Sequence, residues 1–188
     1  ILILSNKKWG YRVYKNLKRE YPNIKYAFCD NHKCFLKKMN HYIPSKVFVL
    51  HWDKLIDEKL LKRSNFIGFH SSNLPNFRGG SPIQNQIIRG YKSTTLTCFF
   101  LNKKLDNGKY IFKKKLSLRG SLKNIFKELE IITFELIAKL SIRKNIRSQN
   151  YNKNSNKGFI CKRLSNRDLN LSKYKNIEEI YNVIRMVD

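Results

Sequence analysis

A histidine and an aspartate lie in the two segments of this chain whose residue types suit chemistry. His70 ends an apolar run, and the loop that follows it as far as Asn85, SSNLPNFRGGSPIQN, is rich in Ser, Asn, Pro and Gly. Asp106 lies in the turn LDNG, about one strand further along the chain. A histidine titrates near neutral pH, and an aspartate can orient it and raise its basicity. The two segments together have the layout of an active site.

Short apolar runs that alternate with helical patterns must position this pair. Residues 1–4, 24–28, 47–50 and 65–69 are predicted as strands, and the last of them delivers His70 at its carboxyl end. Alternating strands and helices predict an α/β fold with a mostly parallel central sheet flanked by helices. Ligands bind beyond the carboxyl ends of the strands in such sheets, which is where His70 lies.

The same kinds of pattern place the remaining elements. Pro82 starts a predicted helix over residues 83–89, which Gly90 ends, and Ser121 caps a long amphipathic helix over residues 122–140. The other predicted elements are a helix that carries Val13, Leu17 and Tyr21 and is closed by Pro22, a helix that carries Leu55, Ile56, Leu60 and Leu61 and is capped by Asp53, strands at 94–101, 110–118 and 158–162, and a last helix at 176–186.

The domain organisation follows from where the patterned segments stop. Residues 1–142 are predicted to form one catalytic domain, because they contain the alternating elements and both candidate catalytic residues. Residues 143–157 are dominated by Asn, Lys and Ser and are predicted to form a polar linker or loop. Residues 158–188 are predicted to begin a truncated C-terminal segment, because the chain stops within a helical pattern.

Composition and charge narrow the function classes. The net charge of +26 suggests a nucleic-acid partner, but the lysines are spread along the whole chain without an arginine-rich helix. We therefore interpret the charge as compositional bias, because Lys, Asn and Ile are all in excess. No apolar run approaches the roughly 20 residues that cross a bilayer. The initial apolar run, residues 1–4, is too short for the core of a signal peptide and has no basic segment before it. The sequence predicts a cytoplasmic protein without a membrane span.

Four cysteines raise the questions of disulfides and of metal binding. Nothing in the sequence suggests export, so free thiols are preferred over two disulfides. A metal cluster is the alternative, but the spacing of its members matches no standard zinc pattern, and no metal is expected. The candidate cluster consists of Cys29, His32, Cys34 and His41, and the remaining cysteines are Cys98 and Cys161.

The site segments as a set resemble the folate-dependent formyltransferases, which act on glycinamide ribonucleotide, methionyl-tRNA and amino sugars. That family shares a loop of the form N-x-H-x-S-L-L-P, then R-G, then P, and a later D-x-G. Here the loop is GFHSSNLPNFRGGSP and the D-x-G is Asp106, Asn107 and Gly108. The resemblance implies a Rossmann-like formyltransferase fold and 10-formyltetrahydrofolate as co-substrate.

The resemblance also implies roles for individual residues. His70 and Asp106 would be catalytic, and a folate pocket is expected from His51, Trp52, Leu74, Pro75 and Asp106. Substrate contacts are expected from Asn73, Arg78, Gly79, Gly80, Gln84 and Asn85. For each residue a structural role is the alternative: a turn for Asp106, loop geometry for the two glycines, a polar cap for Gln84 and Asn85, and core packing for Trp52.

One position departs from the family pattern. The family's third functional group is an asparagine two residues before the histidine, and Gly68 occupies that position here. A backbone N–H could replace the lost amide as donor to the oxyanion, as could His51, Asn73 or Asn85. Substitution by another donor is preferred. The alternatives are a branch that tolerates the loss and an inactive homologue that binds folate or sugar.

The acceptor is expected to be an amino sugar, either nucleotide-linked or of the nonulosonic-acid type, on a route to a surface glycan. The pattern RGGSP followed by QN, the pair His51 and Trp52, and the terminal IRM resemble the amino-sugar branch. A methionyl-tRNA formyltransferase, represented by its catalytic domain only, is the alternative, and nucleic acid is a partner only under it. A homodimer is a further expectation.

Overall fold

Apolar runs build a six-stranded sheet and a smaller two-stranded one. The computed structural model describes residues 1–151 and 158–187. The strands are β1 (Leu2–Leu4), β2 (Ala27–Cys29), β3 (Lys46–Leu50), β4 (Asn65–His70), β5 (Arg78–Gly79), β6 (Ser93–Phe100), β7 (Tyr110–Ser117) and β8 (Ile160–Cys161). The large sheet has the order β2-β1-β3-β4-β6-β7, and β5 pairs with β8.

In residues 1–151 and 158–187, six helices and two short 3₁₀ turns connect and cover the strands. The helices are α1 (Lys8–Glu20), α2 (His32–His41), α3 (Glu58–Leu61), α4 (Pro82–Ile88), α5 (Leu122–Ser141) and α6 (Ile177–Arg185). The side chain of Ser121 accepts a hydrogen bond from Asn124 N and caps α5, as predicted. Pro82 begins α4, where its missing N–H costs no hydrogen bond, and Gly90 follows the helix with a positive φ of 76°.

The predicted mostly parallel sheet is confirmed, since β1 to β4 run parallel, and the β4–β6 and β6–β7 pairs are antiparallel. All five residues of β3 are buried, and β4 is buried from its second residue onward. Leu50 is in register with Phe69. The next residues along these two neighbouring strands are His51 and His70, which therefore emerge side by side at the carboxyl edge of the sheet.

Two helix assignments need correction. No helix was predicted between β2 and β3, but α2 forms there, because Asn31 caps it and Phe35 and Met39 bury one face of an otherwise lysine-rich segment. The predicted cap at Asp53 is wrong. The helix begins at Glu58 and is capped by Asp57, and the segment before it runs along a cleft, where Leu55 is 79% exposed instead of packed.

The C-terminal segment packs against the same core as the preceding residues. Val183 and Met186 belong to the apolar cluster that contains Ile83 and Ile87 of α4. The predicted linker lies partly outside the described residues, which exclude 152–157. In its described part Gln149 pairs with Tyr110 through two backbone hydrogen bonds. The domain boundaries from the sequence stay a prediction. None of the helices in the described ranges is long and apolar enough to cross a membrane.

The sulfur atoms of Cys29 and Cys34 lie 2.7 Å apart, where β2 meets the first turn of α2. Burial and then the neighbouring thiol raise the pKa of Cys29, which keeps it a thiol at neutral pH. All four cysteines are unbridged. His32 and His41 lie on the exposed side of α2.

Candidate active site

His70 and Asp106 lie close together, although 35 residues of chain, which include α4 and β6, separate them. The distance from His70 Nδ1 to Asp106 Oδ2 is 3.6 Å, and the two side chains are only 10% and 18% exposed. This distance is longer than a hydrogen bond but well within the range of a strong charge interaction. The structure thus brings together the two residues that the sequence singled out.

The hydrogen bonds around His70 assign its two ring nitrogens. Nε2 lies 2.7 Å from the backbone oxygen of Phe77. A carbonyl oxygen can only accept, so Nε2 must carry a hydrogen and donate it. Nδ1 is then the basic nitrogen, and it faces the Asp106 carboxylate. A proton taken up by Nδ1 would lie next to that negative charge, which stabilises the imidazolium.

Asp106 is held in a fixed orientation. Its Oδ2 accepts a hydrogen bond of 2.9 Å from the backbone N–H of Gly79, and its own backbone has a positive φ of 46°. Aspartate tolerates this left-handed conformation better than most residues. The Asp-Asn-Gly turn is thus both a hairpin turn, as the structural alternative held, and the element that aims a carboxylate at His70.

Buried side chains anchor the loop between His70 and α4. Gln86 Nε2 donates to the backbone oxygens of Ser71 and Pro82, at 2.9 and 2.8 Å. Thr97 Oγ1 donates to Ser72 O at 2.6 Å, and Ser72 Oγ donates to Asn76 O at the same distance. Hydrogen bonds to buried carbonyls satisfy the backbone, so the loop can be irregular and still hold one shape.

A cleft of about 920 Å³ opens at the carboxyl ends of β1, β3 and β4. Its size falls within the range of small-molecule sites. The predicted site residues that line the cleft are His51, Trp52, His70, Gly79, Gly80, Gln84 and Asp106. The structure therefore places these seven where a ligand can reach them, and their binding roles stay predictions.

The remaining predicted site residues lie elsewhere. Leu74 is buried, and Asn73 lines a second cavity, where its Oδ1 accepts from Lys113 Nζ at 2.7 Å. Asn85 is buried, and its Nδ2 donates to the backbone oxygens of Gly80, Ser81 and Lys162, each at 3.1 Å. Pro75 and Arg78 are not among the described residues that line the cleft. Direct ligand contact is therefore a weaker hypothesis for these five.

The sequence did not identify several residues that line the cleft. Asn6, Lys7 and Trp9 follow β1, in the segment SNKKWG, and Phe126 comes from α5. The position of SNKKWG after the first parallel strand was a usable signal, because strand ends meet at one edge of the sheet. Arg163 and Leu164 reach the cleft from the C-terminal segment, since β8 pairs with β5. No local signal predicts that contact.

Charge in the cleft is predominantly positive. Acidic side chains there are fewer than basic ones, and one of them, Asp106, is already engaged with Gly79 and His70. Such a surface attracts a ligand with carboxylate or phosphate groups. The basic residues that line the cleft are Lys7, Lys54, Lys103, Lys104 and Arg163, and the acidic ones are Asp53, Glu58 and Asp106.

Gly68 lies inside the cleft wall, two residues before His70 along β4. A side chain at this position would have its Cβ 2.7 Å from Leu101 Cδ1 and 3.0 Å from the ring of Phe99. The space that an asparagine would use is therefore filled by two apolar side chains. The sequence shows the missing amide, but only the structure shows that apolar carbon has replaced it.

Comparison with known proteins assigns this architecture to a family. The sequence profile of the formyl transferase family matches residues 24–122, which include β2 to β7, His70 and Asp106. The chain belongs to the formyl transferase family. Members of this family transfer a one-carbon group. The cleft with its His70–Asp106 pair is the candidate site for such a transfer.

Individual relatives extend the likeness beyond the matched segment. A methionyl-tRNA formyltransferase of Clostridium beijerinckii is 27% identical over 192 aligned residues, which cover 95% of this chain and 60% of that protein. The solved methionyl-tRNA formyltransferase of Clostridium thermocellum superposes with a TM-score of 0.86 at 28% identity, over the whole of this chain and 82% of that one. Both likenesses include the C-terminal segment of this formyl transferase.

Other members share the fold at lower identity. A likely sugar N-formyltransferase of Mycobacterium tuberculosis superposes with a TM-score of 0.74 at 17% identity and covers the whole of this chain and 86% of its own. This likeness establishes a common fold. Alignments with curated methionyl-tRNA formyltransferases cover 29% to 60% of those proteins, so the present chain spans less than two thirds of their length.

Proposed function

We propose that this formyl transferase moves a formyl group from 10-formyltetrahydrofolate to a primary amine, as the sequence resemblance implied. The observation that carries the proposal is the His70–Asp106 pair, 3.6 Å apart at the edge of a cleft of about 920 Å³. A general base that lies next to a fixed carboxylate can deprotonate an attacking amine.

The cleft suits the proposed co-substrate. Trp52 and Val49 give it apolar surface for a flat ring. The basic residues of the cleft suit the carboxylates of the folate's glutamate. When bound, the co-substrate supplies the electrophilic formyl carbon.

The residues of this chain account for the proton movements of the reaction. The amine nitrogen bonds to the formyl carbon and loses a proton to His70 Nδ1, while the formyl oxygen becomes an oxyanion. The bond between that carbon and folate N10 then breaks, and the proton on His70 passes to N10. Asp106 stabilises the imidazolium between these two steps. The products are a formamide and tetrahydrofolate, so atoms and charge balance.

Two amine acceptors are proposed, and different observations support them. The amino sugar expected from the sequence rests on the pattern RGGSP followed by QN. Methionyl-tRNA is supported by the relatives of that name. Three further parts of the proposal rest on the sequence. They are a cytoplasmic location, a homodimer, and domain boundaries after residues 142 and 157.

Formyl transfer measured by mass spectrometry tests the proposal. The purified chain is incubated with 10-formyltetrahydrofolate and, in separate reactions, with methionyl-tRNA or with a panel of nucleotide-linked amino sugars. Addition of a formyl group to one of these amines, absent in the His70→Ala variant, is the expected result. If the chain binds tetrahydrofolate but formylates none of them, it is a folate-binding homologue without transferase activity.

A further inference from the structure

The proposed reaction needs a hydrogen-bond donor at the formyl oxygen, because negative charge develops there when the amine attacks. Preorganised donors of this kind typically contribute about 10²-fold or more to the rate. At Gly68 the structure has no donor side chain, and apolar carbon atoms of Leu101 and Phe99 fill the space beside it. The donor must therefore come from another element. This inference rests on the proposed function.

The asparagine side chains near the loop are already engaged. Asn85 donates to three backbone oxygens, and Asn73 lines the second cavity instead of the cleft. Asn102 lines the cleft, but its Nδ2 donates to Asn107 O at 3.1 Å, and its Oδ1 accepts from Lys104 N. Moving the amide of Asn85 or of Asn102 to the oxyanion would leave a backbone group without its partner.

His51 occupies a better position. It follows β3, and the register that pairs Leu50 with Phe69 places it beside His70 on the neighbouring strand. Neighbouring strands lie about 4.8 Å apart, so the two histidines face the same part of the cleft. The ring of His51 is fixed edge-on between Trp9 and Phe126, with centroid distances of 5.2 and 6.0 Å.

One nitrogen of His51 is available to a ligand. Nε2 lies 3.5 Å from Ser71 Oγ, which is the only hydrogen-bond contact of this ring among the described residues. Nδ1 has no protein partner there, and it is not sealed from solvent, so it is accessible from the cleft that His51 lines. When the Ser71 hydroxyl donates to Nε2, the ring proton resides on Nδ1.

Burial keeps this ring neutral at the working pH. Burial, and after it the charges of His70 and Lys7, lower the pKa of His51 to about 4. The charge that His70 carries after it takes up the proton of the amine is part of this lowering. A neutral imidazole donates one hydrogen bond and does not compete with His70 for the proton.

We propose that His51 donates the hydrogen bond of its Nδ1–H to the formyl oxygen and so stabilises the tetrahedral oxyanion. The backbone φ of 46° at His51 is consistent with a side chain held in place for such a role, since positive φ is uncommon outside glycine and clusters at functional sites. The residue thereby takes over the task that a side chain at position 68 cannot perform.

The test is built on an isosteric pair at position 51. Asparagine places an N–H donor near the position of Nδ1 and tolerates positive φ, and aspartate has the same size and tolerance but no donor. His51→Asn, His51→Asp and His51→Phe are compared with the wild type for kcat and KM. Gln84→Ala removes another amide that lines the cleft. His41→Phe, at an exposed position, controls for the loss of a histidine. Thermal unfolding establishes that each variant is folded.

We expect His51→Asp and His51→Phe to lower kcat by about 10²-fold or more with KM for 10-formyltetrahydrofolate within a few-fold of wild type. His51→Asn should recover most of that loss, and His41→Phe should match the wild type.

Near-wild-type kcat in His51→Phe would overturn the inference, as would equal loss in folded His51→Asn and His51→Phe, because only packing would then matter. A loss confined to Gln84→Ala would place the donor on α4 instead. All three outcomes leave the proposed function intact, whereas a wild type that transfers no formyl group overturns that function and this inference together.

Discussion

The carboxyl ends of β3 and β4 each carry a histidine, and the surroundings of the two rings differ. His70 has a carboxylate 3.6 Å from Nδ1 and a carbonyl oxygen 2.7 Å from Nε2. His51 lies between two aromatic rings and has one weak contact, to a serine hydroxyl. The first environment stabilises a charged imidazole, and the second opposes one.

This difference indicates how two adjacent residues of one type can have different tasks. The Asp106 carboxylate lies 3.6 Å from His70 Nδ1, and this geometry suits the proposed base. Burial lowers the pKa of His51 to about 4, which suits a neutral donor. Neighbouring groups whose environments push their protonation states apart are typical of acid-base sites. The following predictions test the assignment, beginning with the largest expected effect.

Removal of either member of the His70–Asp106 pair should abolish most formyl transfer. We expect His70→Ala and Asp106→Ala to lower kcat by about 10²- to 10⁴-fold. The first variant loses the general base, and the second loses the negative charge that stabilises the imidazolium. Single-turnover transfer from 10-formyltetrahydrofolate measures the effect, and thermal unfolding is the control. Retained transfer in both folded variants would contradict the catalytic assignment.

The neutral state of His51 should appear in the pH dependence of stability. Its pKa is lowered from 6.5 to about 4 in the folded protein, so between these values the unfolded chain binds a proton that folded His51 does not. The free energy of unfolding should therefore fall as the pH falls from about 7 to 4, by about 3 kcal/mol from this residue.

Other groups also titrate in that range, so the measurement is the difference between wild type and His51→Phe in urea unfolding at several pH values. Phenylalanine cannot take up a proton, and the part of the slope that belongs to His51 should vanish in that variant. If the free energy of unfolding depended on pH equally in the two proteins, His51 would have the same pKa in the folded and unfolded chains. That result would contradict the assignment of a neutral, buried imidazole to His51.

An amide restored at position 68 should test whether that position can supply the donor in place of His51. In Gly68→Asn the new side chain meets Leu101 and Phe99, and we expect a loss of about 1–3 kcal/mol in the free energy of unfolding from overpacking. The added Leu101→Ala substitution makes room for the amide. In a His51→Phe background, the pair Gly68→Asn and Leu101→Ala should then recover part of kcat, while Leu101→Ala alone should not.

Recovery by Leu101→Ala alone would show that a wider cleft, and not a new donor, had improved turnover. An unchanged melting temperature in Gly68→Asn would contradict the packing argument at this position.

The smallest effect is expected from the contact that orients His51. The distance from Ser71 Oγ to His51 Nε2 is 3.5 Å, at the outer limit of a hydrogen bond. Ser71→Ala should lower the free energy of unfolding by about 0.5–1.5 kcal/mol or less and change kcat only a few-fold. A loss as large as that of His51→Phe would instead mean that the hydroxyl determines which nitrogen carries the proton.

Much of the fold was predictable because it depends on local pattern. Unbroken apolar runs identified β3 and β4, and Ser121 and Pro82 marked the starts of α5 and α4. Helix α2 escaped prediction because only Phe35 and Met39 of its ten residues are buried, so its apolar face is narrow. The cap at Asp53 was wrong because the following apolar residues line a cleft instead of packing as a helix.

By itself the sequence identified the candidate site residues: a histidine at the end of a buried strand, an aspartate in a later turn, and a glycine where an amide was expected. Tertiary structure alone decided which side chains share that site. Strand register places His51 beside His70, the β5–β8 pairing brings Arg163 to the cleft, and the helix directs Gln84 to the cleft while it buries the next residue, Asn85. The physical reason is that these contacts join residues far apart in the chain, and no local pattern records such neighbours.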